Sequence, residues 1–322
     1  MPRMRQLTWT LAALASLGGT AAAETGRPMS ADLAAGSIGV ERSHRGVAQD
    51  YLVLPSGGEL TAQMRLLTAD SMLDGDKLKF TDLALLGISG RWSLFTKLEL
   101  AASVDFLPKQ PATTDEKSWQ SVGFALRSPL GRHVALALTG GGGHLMNHSG
   151  RWIREALTLE WKKPIHRELL AFGVEAGVHG LGLAAPTTTS TAFLTELAVR
   201  TTALFHAPKG QWGGWIGLAY AVPIQASGRD PTTELAIDPQ PRLDFHMGTV
   251  LSAVKKWDLF VDFAIVDRGD AARPETRLPI LHGGFDQKQI IFGVTRRIES
   301  KRRAREDDHD AYGDDPVRLG SL

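Results

Sequence analysis

The densest grouping of side chains that could do chemistry lies between Gly141 and Arg151, where His144, Asn147, His148 and Ser149 sit close together. A serine nucleophile needs a base within hydrogen-bond reach and a third group to orient that base. Neighbouring residues of an extended strand point to opposite faces, so a strand running through His148 and Ser149 separates them. His144 and His148 are spaced to share a metal only on a helix, and the glycines of Gly140 to Gly143 disfavour one. That glycine run is not a phosphate loop, because no Lys-Ser or Lys-Thr follows it. The chain has no cysteine, which removes thiol nucleophiles, thiolate metal sites and disulfides. An enzyme, a metal and a cofactor are therefore not expected.

Charge is the remaining chemistry. Lys97, Arg127, Arg154 and Arg200, with Glu99, Asp105, Glu160, Glu175, Glu196, Asp244, Asp258 and Asp262, all fall on the less apolar side of alternating segments. If that side faces a lumen, these twelve residues line it with a net charge of about −4, which favours cations or neutral solutes by the logic of charged rings in pores.

The segments that must position these charges alternate with period two, the signature of two-faced strands. In Thr96 to Phe106, the residues Thr96, Leu98, Leu100, Ala102, Val104 and Phe106 share one face, and Lys97, Glu99, Ala101, Ser103 and Asp105 share the other. Leu259, Val261, Phe263 and Ile265 repeat the pattern against Asp258, Phe260, Asp262 and Ala264. Twelve strands are predicted, over 58–67, 81–92, 96–106, 119–128, 133–141, 152–161, 169–178, 193–205, 213–222, 243–254, 257–266 and 287–297. Their length suits the roughly 9 to 11 residues of a tilted strand crossing a bilayer.

Connections alternate too. Ser93 to Phe95, Pro129 to Arg132, Lys162 to Glu168, His206 to Trp212 and Lys255 to Lys256 are short; Leu107 to Ser118, Leu183 to Ala192, Pro223 to Arg242 and Asp267 to Asp286 are longer and polar. Short turns at one end against long loops at the other is the asymmetry of bacterial membrane barrels. Trp92, Trp119, Trp152, Trp161, Trp212, Trp215 and Trp257 all lie near predicted strand ends, where an interfacial aromatic girdle would put them. The inward positions Ser121, Gly123 and Ala125 are small, whereas a soluble sheet would carry longer polar side chains there.

The N-terminus supplies the export signal. Arg3 and Arg5 precede an apolar run from Leu7 to Leu17, and Ala21-Ala22-Ala23 meets Glu24, the pattern of a secretory signal peptide cleaved after Ala23. Its removal leaves 34 of the 36 basic residues against 35 acidic ones, a balance without the basic excess of a nucleic-acid binder. No later stretch reaches the ~18 consecutive apolar residues of a spanning helix, so a membrane form has to be a barrel.

On alternation, loop asymmetry, aromatic placement and export signal, the chain resembles the bacterial outer-membrane β-barrel superfamily of porins and related channels over roughly residues 50–298. The lead-in Leu54-Pro55-Ser56-Gly57-Gly58-Glu59-Leu60 is similar to the entry into the first strand of several such barrels. The resemblance implies an all-β, transmembrane antiparallel barrel of twelve strands in the outer membrane of a Gram-negative bacterium. Its organisation would be a signal peptide at 1–23, a periplasmic segment at 24–57, the barrel at 58–298 and a charged periplasmic tail at 299–322. Outer-membrane lipid, the insertion machinery and small solutes are the implied partners, and a porin-like pore or transporter is the implied function. A structural or assembly barrel with a plugged lumen, binding a partner through loops or tail, is the alternative. An outer-membrane acylhydrolase ranks third: those phospholipases carry His-x-Ser-Asn-Gly-Arg, whereas this chain has His148-Ser149-Gly150-Arg151.

Overall fold

A computed structural model describes residues 57–70, 77–78, 84–94, 98–106, 119–131, 133–144, 151–166, 169–185, 190–207, 212–230, 233–235, 240–254, 256–268 and 285–298. Residues 1–56 and 299–322, which include the predicted leader and tail, lie outside them. The strands are β1 (Gly58–Asp70), β2 (Lys77–Leu78), β3 (Ala84–Leu94), β4 (Leu98–Phe106), β5 (Trp119–Pro129), β6 (Val134–His144) and β7 (Arg151–His166). They continue with β8 (Leu170–Ala185), β9 (Ser190–His206), β10 (Trp212–Asp230), β11 (Thr233–Leu235), β12 (Arg242–Val254), β13 (Trp257–Arg268) and β14 (Phe285–Ile298).

Each long strand pairs antiparallel with the next, and β14 returns to β1 in a register from Gly58↔Ile298 to Ala69↔Gln287. That pairing closes the sheet, so twelve strands form a barrel with no open edge. The short β2 and β11 only extend the pairing of β1 and β10. All twelve expected strands are present.

Burial alternates along the strands in the sense opposite to a soluble protein. On β3 the apolar Leu86, Ile88 and Trp92 are exposed, while Leu85, Gly87 and the charged Arg91 are buried. On β13 Leu259 and Val261 face out, while Asp258 and Asp262 are buried. Val122 and Phe124, Leu157 and Leu159, Leu197 and Val199, and Ile216 and Leu218 extend this outward belt around the barrel. A continuous apolar surface of that extent needs hydrocarbon around it, since water-exposed patches rarely exceed a few hundred Å².

Short connections at 95–97, 130–133, 167–169, 207–211 and 255–256 gather at one end of the barrel. The tightest holds Lys256 at φ 71, the left-handed conformation that a two-residue hairpin turn demands. Two expected loops are shorter than read from sequence. Residues 183–185 and 190–192 belong to β8 and β9, leaving 186–189 between them, and β10 runs on to Asp230 through a bulge at Pro223. Proline cannot donate to the ladder, which accounts for the bulge. Gln225, Ser227 and Arg229 read as loop because a strand standing beyond the hydrocarbon has no need of an apolar face. β8, β9 and β10, at 16, 17 and 19 residues, therefore rise past the span of about 9 to 11 that a bilayer requires.

Candidate functional site

The inner wall is built by strand parity. Glu99, Asp105, Arg127, Arg154, Glu160, Glu175, Glu196, Arg200, Asp244, Asp258 and Asp262 all project from inward positions; Lys97 lies outside the described residues. Sequence reasoning missed several charges on the same wall. Glu59, Arg65, Arg91, Lys162 and Arg242 are buried there, and Arg297 shares their parity. Among the described residues the wall thus carries eight basic and nine acidic side chains, which overturns the expected net charge of about −4. The signal for β1 was its alternation of Leu60, Ala62 and Met64 with Glu59, Gln63 and Arg65. Arg242 and Lys162 had been assigned to connections, although both stand in strands.

Most of these charges are engaged. A chain of alternating sign crosses β1, β3, β4, β5 and β7 near the short-turn end. Arg91 Nε lies 3.5 Å from Glu59 and its Nη2 3.2 Å from Glu99. Arg127 Nη1 then donates to Glu99 at 3.0 Å, and its Nε donates to Glu160 at 3.3 Å. The intervening β6 offers only Ala135 and Ala137 beneath Arg127, both fully buried, so the guanidinium can reach over that strand. On the opposite wall Arg242 joins Glu196 at 3.3 Å and Asp244 at 3.0 Å. Toward the long-loop end Ser121 Oγ donates to Asp105 at 2.7 Å, and Arg65 lies 3.9 Å from the same carboxylate. Buried charges that alternate this way neutralise one another, as burial away from bulk water requires.

An apolar layer faces that charged chain across the lumen. Leu204, Trp215, Val250, Phe260 and Ile291 are buried together on β9, β10, β12, β13 and β14. Glycine makes room for it: a Cβ at Gly248 would strike the Trp215 ring, and one at Gly293 would strike Phe260. Trp215 Nε1 donates to Asp262 at 3.3 Å, giving the indole the polar partner it needs when buried.

Trp215 was expected in the interfacial girdle, and so was Trp152. Both are corrected: they are 4 % and 3 % exposed and point into the barrel. Nearness to a strand end fixes height along the axis but not which face a residue takes. Trp92, Trp161, Trp212 and Trp257 do stand outward, all at the short-turn end, with Arg296 stacked 5.5 Å from the Trp257 ring centre. The side chain of Trp119 lies outside the described residues, as do His148 and Ser149.

Between the apolar layer and the long-loop end the lumen widens into a cavity of about 210 Å³. Ala137, Ala156, Ala198, Ala219 and Ala264 give it width, and Arg127, Arg154, Arg200 and Arg242 meet Glu160, Glu175, Asp244 and Asp262 around it. His179 and His246 also line it. Arg154 Nη2 lies 3.1 Å from His179 Nδ1; a guanidinium can only donate, so Nδ1 accepts and the ring proton sits on Nε2. Arg200 lies 3.8 Å from Glu175. Among the described residues no three His, Asp or Glu side chains are grouped to hold a metal. The arrangement can admit and orient a small polar molecule by charge.

No protein-family model and no curated protein matches the sequence. Among solved structures, an outer membrane channel from Pseudomonas putida F1 is 12% identical over 77% of this chain and 98% of that one, with a TM-score of 0.48. The translocator domain of autotransporter NalP from Neisseria meningitidis is 11% identical over 83% and 96%, with a TM-score of 0.46. The outer membrane protease OmpT from Escherichia coli is 8% identical over 78% and 100%, with a TM-score of 0.39. The closed barrel and its outward apolar belt make this chain a membrane-spanning β-barrel protein.

Proposed function

We propose that the barrel passes small polar solutes by diffusion, through a lumen that is wide at mid-height and pinched near the short-turn end. The observation carrying this reading is the cavity of about 210 Å³, whose walls combine small side chains with facing charges. A barrel that served only as a structural plug would gain more from filling that space, because buried charges stabilise less than well-packed apolar side chains of similar volume. The twelve charged residues singled out from sequence are, on this proposal, the lining of the path, with Arg65, Arg91, Lys162 and Arg242 added to them. The insertion machinery and outer-membrane lipid complete the set of partners.

One observation favours the second reading, a closed barrel with a partner at its loops or tail. Arg91, Glu99, Trp215, Phe260 and Ile291 are all buried inside the barrel toward the short-turn end. Planar-bilayer recording of the refolded chain separates the two. Discrete ohmic steps in potassium chloride are expected for the pore. Silence from a sample that shows heat-modifiable gel mobility would reject it in favour of the closed barrel.

A further inference from the structure

We propose that the mid-lumen chamber binds a small solute bearing a carboxylate, with Arg200 as the group that meets it. The inference deepens the solute-passage reading and rests on it. Arg200 differs from its neighbours in being available. Its side chain is 45% exposed within the lumen, against 7% for Arg127 and Arg242. Arg127 is bridged by two carboxylates at 3.0 and 3.3 Å, and Arg242 by two at 3.3 and 3.0 Å. Arg200 has Glu175 at 3.8 Å, beyond the reach of a well-formed charge-assisted hydrogen bond.

The acidic side of the chamber is more committed. Glu160 is held by Arg127, Asp244 by Arg242, and Asp262 by the Trp215 indole. Meanwhile Arg154, Arg200 and Arg242, from β7, β9 and β12, line the same chamber as His179, with Arg154 3.1 Å from its ring. The chamber therefore gathers these three guanidiniums besides Arg127, and Arg200 is the exposed one. A planar guanidinium matches a carboxylate with two parallel N–H···O bonds, a geometry a lone ammonium lacks. The chamber of about 210 Å³ is below the roughly 300 to 1,000 Å³ of pockets for drug-sized ligands, so the solute has only a few heavy atoms. Anion preference also reverses the cation preference expected from sequence, because the arginines that sequence reasoning missed neutralise the acidic set.

The full mature chain, refolded and inserted in planar bilayers, tests this under a potassium acetate gradient. The expected reversal potential favours acetate over potassium, and Arg200→Gln reduces that permeability ratio by about fivefold, the effect of removing one unit charge at contact distance in a wet site. Lys163→Gln, which removes an exposed outward cation on the same strand as Arg154, leaves the ratio unchanged. Calorimetric titration of the folded protein in detergent with succinate is the second measurement. Saturable binding lost in Arg200→Gln supports the site even if the chain conducts no potassium chloride, in which case only the pore reading fails. Cation preference in the unmodified protein, an Arg200→Gln ratio equal to it, or no succinate binding overturns the proposal. Inorganic phosphate binding more tightly than succinate overturns the assignment to a carboxylate.

Discussion

Arg127→Met offers the sharpest test of how the lumen is held. Arg127 bridges Glu99 and Glu160 at 3.0 and 3.3 Å, and all three side chains are at most 7% exposed. Unit charges about 4 Å apart attract by about 4 kcal/mol at an effective dielectric near 20, and desolvation offsets much of that. Removing one partner of a buried pair costs more than the pair contributes, about 3 to 5 kcal/mol, because the other charge is stranded. Glu99 keeps Arg91 at 3.2 Å, whereas Glu160 loses its 3.3 Å contact with the guanidinium. The expected loss therefore lies at the lower end, about 3 kcal/mol. Methionine matches much of the arginine volume, which keeps cavity formation out of the measurement. Reversible urea unfolding of the barrel in lipid vesicles reads the difference, with the slope checked for constancy. Adding Glu160→Gln should restore about half of it, since the carboxylate that lost the guanidinium is then neutral. A loss below about 1 kcal/mol would place Arg127 in water-screened surroundings, and a double variant weaker than the single would show that the loss does not run through Glu160. Either result refutes the reasoning.

Phe260→Ala should raise single-channel conductance by thinning the apolar layer, and Trp215→Ala should do the same; no increase would mean that the pinch lies elsewhere. Unfolding should show a cost below the usual 3 to 5 kcal/mol for such a truncation, because lumen water can occupy the space. Gly217→Ala should destabilise by about 1 to 3 kcal/mol through overpacking, because a Cβ there meets the His246 ring; a neutral effect would show that the ring moves freely. In single-tryptophan variants, brominated lipid should quench Trp92, Trp161, Trp212 and Trp257 and spare Trp152 and Trp215; quenching of the last two would contradict the inward placement.

The barrel itself was legible in the chain. Lipid on one side and a polar lumen on the other impose the same two-residue alternation on every crossing, so Thr96 to Phe106 declared both its strand and its faces. Legibility failed where that pressure lapses. Arg242 sits at the first position of β12 beside a polar stretch, and nothing local separates it from the loop before it. The tryptophans misled for a related reason: Trp152 shares parity with Arg154 and Glu160, a fact available from counting but masked by its place near a strand end. The chamber lay further out of reach. Arg154 and Arg242 come from β7 and β12, and their meeting in one chamber with His179 depends on how the sheet curves. Net charge failed with them, since a handful of unassigned basic residues brings the inner wall close to neutrality.

The alternating charges running from Glu59 through Arg91, Glu99 and Arg127 to Glu160 also bear on assembly. Sliding one strand past its neighbour by a single residue swaps its greasy and wet sides, and the bilayer forbids it. A slip of two residues keeps those sides intact, so oiliness alone cannot detect the error. It would, however, draw Arg91 away from Glu59 and Glu99, or Arg127 away from Glu99 and Glu160. The ionic row thus works as a vernier on five of six consecutive staves of the barrel, stepping over β6, and it begins on β1, the strand that must find β14 to complete the cylinder.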